Sequence, residues 1–422
     1  YQRVGRHEQP DQGHQADGLW VSRHGLLLPK DSCCVSRQSA MNLILMAIAA
    51  GICTGGNYFS QPLIHSISLS LNLTETTTAW VPTLAQITYA CGLLLLMPLG
   101  DIIEKRKLLF IFMLLASSGL IISGFSHNIY LLLLGTVITG LFSSAAQLLL
   151  PLAASLVPIQ QSGRVVGFLL SGLMMGVLLA RSLSGLMSTL FAWNIIYLVS
   201  GFLLLVIAFI LHRNIGLFPP TKSENYAKTI RSLPQIFTQS RRLRTRTYIG
   251  GFTFACVSLT FTTMSLLLAP APYFFSDFTI GLFGFVGVLG TFVANFSGKF
   301  IDQGYIHKIS IYCGIGLILS WILFSLLPYH FAFYIIALLI LYASLSAVHV
   351  TNQSIVFKLN QELRSRFNAI YMTGYFAGGA LGTTAGSYAW KHFGWTGVCI
   401  LGLIFAVLCL YYCVRDAKNQ HN

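Results

Sequence analysis

The sequence predicts an all-α polytopic membrane protein whose twelve transmembrane helices form two pseudo-symmetric six-helix bundles. Three observations predict this fold class: twelve apolar runs of membrane-spanning length, positive charge that alternates between successive connections, and an internal repeat that matches the first half of the chain to the second. Mean hydropathy is +0.70 and only 9% of the 422 residues are charged, whereas about a quarter are charged in soluble domains.

The apolar runs have roughly the length at which a helix crosses the hydrocarbon core, about 20 residues. We number these predicted spans 1 to 12 in chain order. Most connections are short, so consecutive spans are expected to lie side by side and antiparallel. The spans are predicted at about 42–67, 78–99, 108–126, 129–156, 165–188, 193–212, 247–270, 277–298, 309–328, 331–357, 367–390 and 395–414.

Nearly all of the 26 Lys and Arg residues lie before span 1, in every second connection or after span 12. Lys391 lies in a connection on the opposite side, and Arg181 lies inside span 5. Because Lys and Arg are retained on the cytoplasmic side of membranes, both termini are predicted to be cytoplasmic. The net charge of +14 therefore belongs to loops that face anionic lipid headgroups, and nucleic-acid binding is not expected.

The longest connection is basic and contains proline, and it divides the chain into two halves of six spans. The polar first 40 residues leave two interpretations open: a disordered cytoplasmic tail, or translated upstream sequence before a natural start at Met41. The predicted units are the tail 1–40, the N-terminal bundle 41–212, the cytoplasmic linker 213–246, the C-terminal bundle 247–415 and the cytoplasmic C-terminus 416–422.

An internal repeat supports this division. Two parallel six-helix halves, related by an axis along the membrane normal and with a binding site between them near the midplane, are a known transporter plan. A shift of 202 positions superposes Arg366 on Arg164, Gly374 on Gly172, Gly378 on Gly176, Trp395 on Trp193 and His349 on Gln147, and a shift of 201 superposes Asp302 on Asp101.

Small residues recur at helical spacing on three spans. Such stripes let helix backbones approach closely, either for static packing or, since two of the spans are repeat-related, where the halves rock against each other. The stripes are Gly172, Gly176, Ala180 and Ser184 on span 5, Gly374, Gly378, Gly382 and Gly386 on span 11, and Gly281, Gly284, Gly287 and Gly290 on span 8.

Two ionisable residues lie deep in predicted spans, Arg181 and His349, and no acid is predicted at mid-membrane. A charge at the bilayer centre costs about 2.5–3.5 kcal/mol on insertion scales, so such residues are functional candidates by default. Arg181 could bind an anionic substrate group, or only snorkel and bond to backbone carbonyls. His349 could titrate during transport, or remain neutral because it is buried.

Polar side chains extend this candidate site. Asn57 and Gln61 are one turn apart on span 1, as are His349 and Gln353 on span 10, so each pair shares a helix face. With Gln147 of span 4 they could line a central cavity, or serve as hydrogen bonds between helices. The chain has no phosphate-binding loop, nucleophile elbow or zinc-binding helix motif, so neither a cofactor, a metal nor an enzymatic activity is expected.

The connection after span 2, MPLGDIIEKRKLL from Met97 to Leu109, resembles the loop 2–3 signature of the major facilitator superfamily, G-x-L-A-D-R-x-G-R-K. Asp101 stands at the acid of that signature, and Lys105 and Arg106 stand at its paired cations. The sequence departs from it at Met97, Ile102 and Glu104. The repeat-related loop GKFIDQGYIHK contains Asp302 and Lys308. These acids and cations are expected to hold the cytoplasmic side shut.

Further stretches resemble one bacterial branch of that superfamily, which is grouped with drug and sugar exporters. They are NYFSQPL, SGLMMGVLLARSLSG, the PAP before GLFG, and RSRFNAIYMTGYFAGGALG. The resemblance implies that spans 1, 4, 7 and 10 line the cavity. In antiporter members span 4 usually carries R-x-x-Q-G, but this chain has TVITG with Thr136 at the arginine position.

The resemblance implies a secondary active transporter that works by alternating access in a bacterial inner membrane and exports a small drug or sugar-like molecule by proton antiport. The absent acids and Thr136 favour an alternative, a proton-independent facilitator or anion exchanger. A receptor-like or decayed transporter without flux is the alternative of another class. The expected partners are a small-molecule substrate, the lipid bilayer and protons as coupling ion, with the protein as a monomer.

Overall fold

The computed structural model describes residues 19–21, 27–157, 159–216, 226–286, 305–359 and 364–418. Within them, ten helices are long and apolar enough to cross a membrane. The last of these contains two predicted spans, because the helix Arg364–Lys418 is interrupted at Gly394, whose φ of 58° lies in the left-handed region that favours glycine. The second half of predicted span 8 lies outside the described residues.

The helix bounds follow the predicted spans closely. This is expected because backbone exposed to lipid in the hydrocarbon region must be helical or closed into a barrel. Spans 1 to 6 correspond to Lys30–Gly55 with Gly56–Tyr58 and Ile64–Ser70, Glu75–Thr78 with Trp80–Leu95, Lys105–Gly124, Ile129–Phe142 with Ala145–Ser155, Ile159–Leu190, and Ile195–Asn214. Spans 7 to 10 correspond to Arg241–Leu268, Asp277–Leu282 with Phe283–Phe285, Ile306–Ser325 and Phe331–Leu359, and short helices cover Leu99–Ile102 and Tyr226–Gln239.

We call the face where span 1 begins and span 12 ends the terminal face, and the opposite face the distal face. The structure differs from the predictions mainly at the terminal face. The helix of span 1 begins at Lys30, inside the predicted tail, and is preceded by two antiparallel strands, Leu19–Val21 and Leu27–Pro29. The helix of span 7 begins at Arg241, inside the predicted linker.

The glycine stripes of spans 5 and 11 pack within each half, which favours static packing, one of the two interpretations left open, whereas Gly281 and Gly284 of the span 8 stripe lie against span 5 of the other half. A Cβ at Gly176 of span 5 would lie 2.2 Å from Gly51 of span 1, and a Cβ at Gly378 of span 11 would lie 2.1 Å from Gly251 of span 7. These two contacts are repeat-related. They hold spans 1 and 5, and spans 7 and 11, in backbone contact that a larger side chain would prevent.

The terminal end of the C-terminal half contains a buried ion pair. The guanidinium of Arg246, which is fully buried, donates to the carboxylate of Asp416. It also donates from Nη1 to Ser310 Oγ at 2.9 Å and to Asn352 Oδ1 at 3.2 Å. His307 Nδ1 lies 3.4 Å from the same oxygen of Asp416. Spans 7, 9, 10 and 12 thus meet at one charge pair that the linker prediction had placed in solvent.

We expect Asp416→Asn to lower the free energy of unfolding by about 3–5 kcal/mol, because it leaves the buried Arg246 charge without its counterion. Thermal unfolding of the full chain in detergent would measure the loss. Exposed Arg415 supplies the matched control, since Arg415→Gln should leave the transition unchanged.

The double variant Arg246→Met with Asp416→Leu should recover most of the loss, because an apolar pair of similar volume carries no desolvation cost. A single Asp416→Asn variant that unfolds at the wild-type temperature would contradict the anchoring role of the ion pair.

Candidate functional site

Arg181 lies at the interface of the two halves, where span 5 faces spans 1 and 7. Its side chain is only 3% exposed, and its Nε donates to Gln61 Oε1 of span 1 at 2.9 Å. The guanidinium carbon lies 4.2 Å from the ring centroid of Phe261 and 4.7 Å from that of Tyr58. Its Nη1 also donates to the Val177 carbonyl of its own helix at 3.5 Å, so two aromatic rings, one amide and one backbone carbonyl hold the cation in place. Among the described residues, no carboxylate lies within ion-pairing distance of it.

Other aromatic side chains continue this interface toward the terminal face. The ring of Phe261 contacts Tyr342 of span 10, with centroids 5.5 Å apart. Tyr89 of span 2 and Phe376 of span 11 meet edge to face at 4.4 Å, which joins the two halves directly. The site is therefore a layer of rings between the halves with one permanent cation within it.

Several polar atoms in this layer are buried and have no hydrogen-bond partner among the described residues. Buried polar groups in folded proteins are nearly always paired, and a group that is not paired commonly has a functional explanation. The set consists of Gln61 Nε2, the hydroxyl of Tyr342 and His349 Nδ1. The amide of Gln61 contacts Arg181 directly, and such a pair can bind a small molecule that carries an anionic group and a further polar group.

The structure brings only some of the predicted site residues together. Gln61 contacts Arg181 directly. His349 lies among the rings of Tyr371 and Tyr375, with its centroid 5.0 Å from that of Tyr375. Gln147 approaches Tyr89. Each of these contacts lies within one half, so the part of these three residues in a site between the halves stays a prediction.

Asn57 and Gln353 are placed differently. The amide of Asn57 donates to the Cys53 carbonyl of its own helix and faces a small void inside the N-terminal half, lined also by Ser123, Thr136 and Thr139. Gln353 is half-buried and its Nε2 lies 3.8 Å from Met372 Sδ. Asn57 and Gln61 are four residues apart but do not contact the same neighbours. The reason is that the 3-10 turn Gly56–Tyr58 and the following residues interrupt the α-helix between them.

The structure describes only some residues of the predicted cytoplasmic latch. Lys105 and Arg106 open the helix of span 3, and Arg106 packs between spans 3 and 6. Lys308 is exposed, with its amine 5.1 Å from the ring centroid of Tyr305. Asp302 and the side chain of Asp101 lie outside the described part of the structure, so the pairing of these acids with cations stays a prediction.

Sequence reasoning missed the residues that surround Arg181. Tyr58 and Phe261 are aromatic residues in aromatic-rich spans, and nothing in their spacing separates them from lipid-facing residues. Asp277 was placed at a membrane end, yet it is buried between the halves. A signal for Asp277 was present: it stands after Ser276, at the start of a helix, where a carboxylate is favoured by the dipole.

The fold and this site define a class: a multi-pass membrane protein of two repeat-related helical halves with a polar centre between them, as in secondary transporters. Sequence comparison agrees, since the model of the Major Facilitator Superfamily matches residues 46–383. The chain belongs to the Major Facilitator Superfamily, and the predicted superfamily and twelve-helix, two-bundle fold are thereby confirmed.

Its relatives are transporters. The chain is 39% identical over 381 residues to the uncharacterized transporter YgaY of Escherichia coli O157:H7, covering 90% of this chain and 96% of the relative. It is 27% identical to a probable transporter of Streptomyces coelicolor, covering 87% of this chain and 85% of the relative. The protein therefore has a transport role in a membrane.

Solved structures share the fold at low sequence identity. A peptide transporter POT in complex with alafosfalin matches with a TM-score of 0.69 at 12% identity, covering 89% of this chain and 95% of that chain. The nucleoside transporter NupG matches with the same TM-score and identity, covering 89% and 99%. A bacterial homolog of the human lysosomal transporter Spinster matches with a TM-score of 0.62 at 15% identity, covering 90% and 96%.

Proposed function

We propose that this protein is an alternating-access secondary transporter that exports a small organic anion from the cytoplasm, with Arg181 as the residue that binds the anionic group. The observation that carries the proposal is the burial of Arg181 between the halves with no carboxylate within ion-pairing distance in the described residues. A buried cation without an internal counterion favours binding of an external one.

Arg181 is oriented for this role. Gln61 occupies its Nε edge and the rings of Phe261 and Tyr58 lie near its carbon. A guanidinium presents five N–H donors in a rigid fork, and a carboxylate or phosphate can accept two of them side by side. The unpaired hydroxyl of Tyr342, whose ring contacts Phe261, supplies a further polar contact to the same substrate.

An anionic substrate also accounts for the direction and the energy source. A membrane potential that is negative inside drives an anion outward, by roughly 2.3 kcal/mol per charge per 100 mV. Export then needs no proton, which agrees with Thr136 in place of the arginine of antiporter members. We therefore favour the facilitator and anion-exchanger alternative over proton antiport of a neutral drug or sugar.

A second candidate function is proton antiport through His349. The specific observation in its favour is the buried Nδ1 of His349, which has no hydrogen-bond partner among the described residues and could accept a proton when the site opens.

We expect purified protein in liposomes to release preloaded organic carboxylates or organic phosphates when a potassium gradient with valinomycin makes the interior negative, without any pH gradient. Neutral sugars of similar size should not be released. Flux that requires a pH gradient and persists without a potential would contradict the anion proposal and support antiport through His349.

We expect Arg181→Ala to abolish this flux and Arg181→Lys to retain part of it, because lysine keeps the charge but loses the bidentate fork. Initial rates at equal protein in the liposomes give the measurement. Exposed Arg213 provides the matched control, and Arg213→Ala should transport normally. Normal flux in a stable Arg181→Ala variant would show that Arg181 does not bind the substrate.

We propose that Asp101, Lys105 and Arg106, with the repeat-related Asp302 and Lys308, close the terminal face. The short helix Leu99–Ile102 ends just before the helix that Lys105 opens, so Asp101 is close along the chain to both cations and to a helix N-terminus, where a carboxylate is favoured. Asp101→Asn should therefore lower the flux severalfold while leaving membrane insertion and thermal unfolding unchanged. Wild-type flux at equal expression would refute this latch, and Lys107→Gln, at an exposed cation in the first turn of the helix Lys105–Gly124, is the control.

A further inference from the structure

Asp277 joins the two halves at the distal face. It begins span 8 in the C-terminal half and is only 8% exposed. Its Oδ2 accepts a hydrogen bond from Ser188 Oγ of span 5 at 2.7 Å and another from Ser66 Oγ of span 1. Both serines belong to the N-terminal half. One carboxylate oxygen thus ties two spans of one half to one span of the other.

Close backbone packing surrounds these hydrogen bonds. A Cβ at Gly185 of span 5 would lie 2.3 Å from the carbonyl oxygen of Asp277, so the two backbones are in direct contact. One turn further into the membrane, Ser182 Oγ donates to the carbonyl oxygen of Gly281 at 2.9 Å. Spans 5 and 8 are therefore held together over at least one helical turn below Asp277.

The bonding of Asp277 suits a contact that opens and closes. A carboxylate binds hydroxyl donors more strongly than a neutral acceptor does, so the closed contact is well defined. When the halves separate, water can replace both serine hydroxyls at a carboxylate that faces the opening. The net difference between the closed and open contacts is then small compared with the strength of each bond.

We propose that Asp277, Ser66 and Ser188 form the gate of the distal face, which we call the Asp277 latch, and that the latch must open in every transport cycle. The inference rests on the proposed alternating-access function and deepens it. It assigns the gating role at the distal face to residues outside the predicted latch of the terminal face.

The test uses the full chain in its membrane and two reporter cysteines. Ser182→Cys lies in the contact of spans 5 and 8 beneath the latch. Thr373→Cys lies near the terminal face, where the Thr373 hydroxyl donates to the Ala90 carbonyl of span 2 at 3.4 Å. Labelling by a membrane-impermeant maleimide is measured on intact cells for the first reporter and on inverted vesicles for the second, after subtraction of the parent that lacks the reporter.

Asp277→Ala should raise the labelling rate of the distal reporter at least about tenfold, the factor expected for loss of a charge-assisted hydrogen bond, without raising that of the terminal reporter. Combined Ser66→Ala and Ser188→Ala should have the same effect through the partner groups. Asp277→Asn, which keeps one acceptor oxygen, should lie between wild type and alanine.

Glu75→Gln is the matched control, because Glu75 is a distal-face acid that pairs with His65 at 2.7 Å within the N-terminal half. It should leave both reporters unchanged. Unchanged distal labelling in either the Asp277→Ala or the double serine variant, with wild-type thermal unfolding, overturns the proposal. So does an equal rise at both reporters, which would indicate general loosening.

If Asp277→Ala does not fold, the double serine variant decides the question alone. The labelling needs no substrate, so its outcome is independent of the anion proposal. If Asp277→Ala raises labelling of the distal reporter but the protein moves no anion in liposomes, the Asp277 latch is supported and only the proposed substrate is contradicted.

Discussion

The cost of placing a charge in the hydrocarbon core is the constraint that organises this protein. The charge of Arg246 is stabilised by the carboxylate of Asp416 and by side chains from two further spans. It is therefore neutralised internally and needs no ligand. The charge of Arg181 is stabilised by aromatic rings, one amide and the Val177 carbonyl, which do not neutralise it. The two buried arginines therefore differ: Arg246 has an internal counterion, and Arg181 has none among the described residues, which is why we propose an anion as its ligand.

Repeat-related spans pack backbone to backbone within each half. Gly176 against Gly51, and Gly378 against Gly251, hold repeat-related pairs of spans in backbone contact, where no side chain is left to slide. Contacts between the halves include hydrogen bonds, such as those at Asp277, and ring edges, such as Tyr89 against Phe376. The halves also meet in backbone contact where span 5 lies against span 8, at Gly185 and Gly281.

The sequence was sufficient for the fold because membrane insertion depends on local properties, namely span length, apolar content and the distribution of Lys and Arg. It also singled out Arg181 and Gln61, which the structure places in contact, since a polar residue deep in a span must contact something polar. It could not identify Tyr58 or Phe261, because an aromatic ring packs equally well against lipid and against a cation. It also assigned Arg246 to a solvent-exposed linker, since a basic residue at a span end has the same sequence context whether it is solvated or paired.

Asp277 and Arg181 lie on one pair of packed helices, so the proposed distal gate and the proposed substrate site are neighbours. A Cβ at Gly281, one turn after Asp277, would lie 2.5 Å from the carbonyl oxygen of Arg181, so the backbone of span 8 lies against the backbone of the residue that we propose binds the substrate. In this proposal, an anion bound at Arg181 acts on span 5, and the Asp277 latch joins that same span to span 8. Coupling through two helices in backbone contact needs no relay of side chains. Gly185 and Gly281, which pack the two helices together, therefore have in this proposal as large a part in the coupling as the charged residues at its two ends.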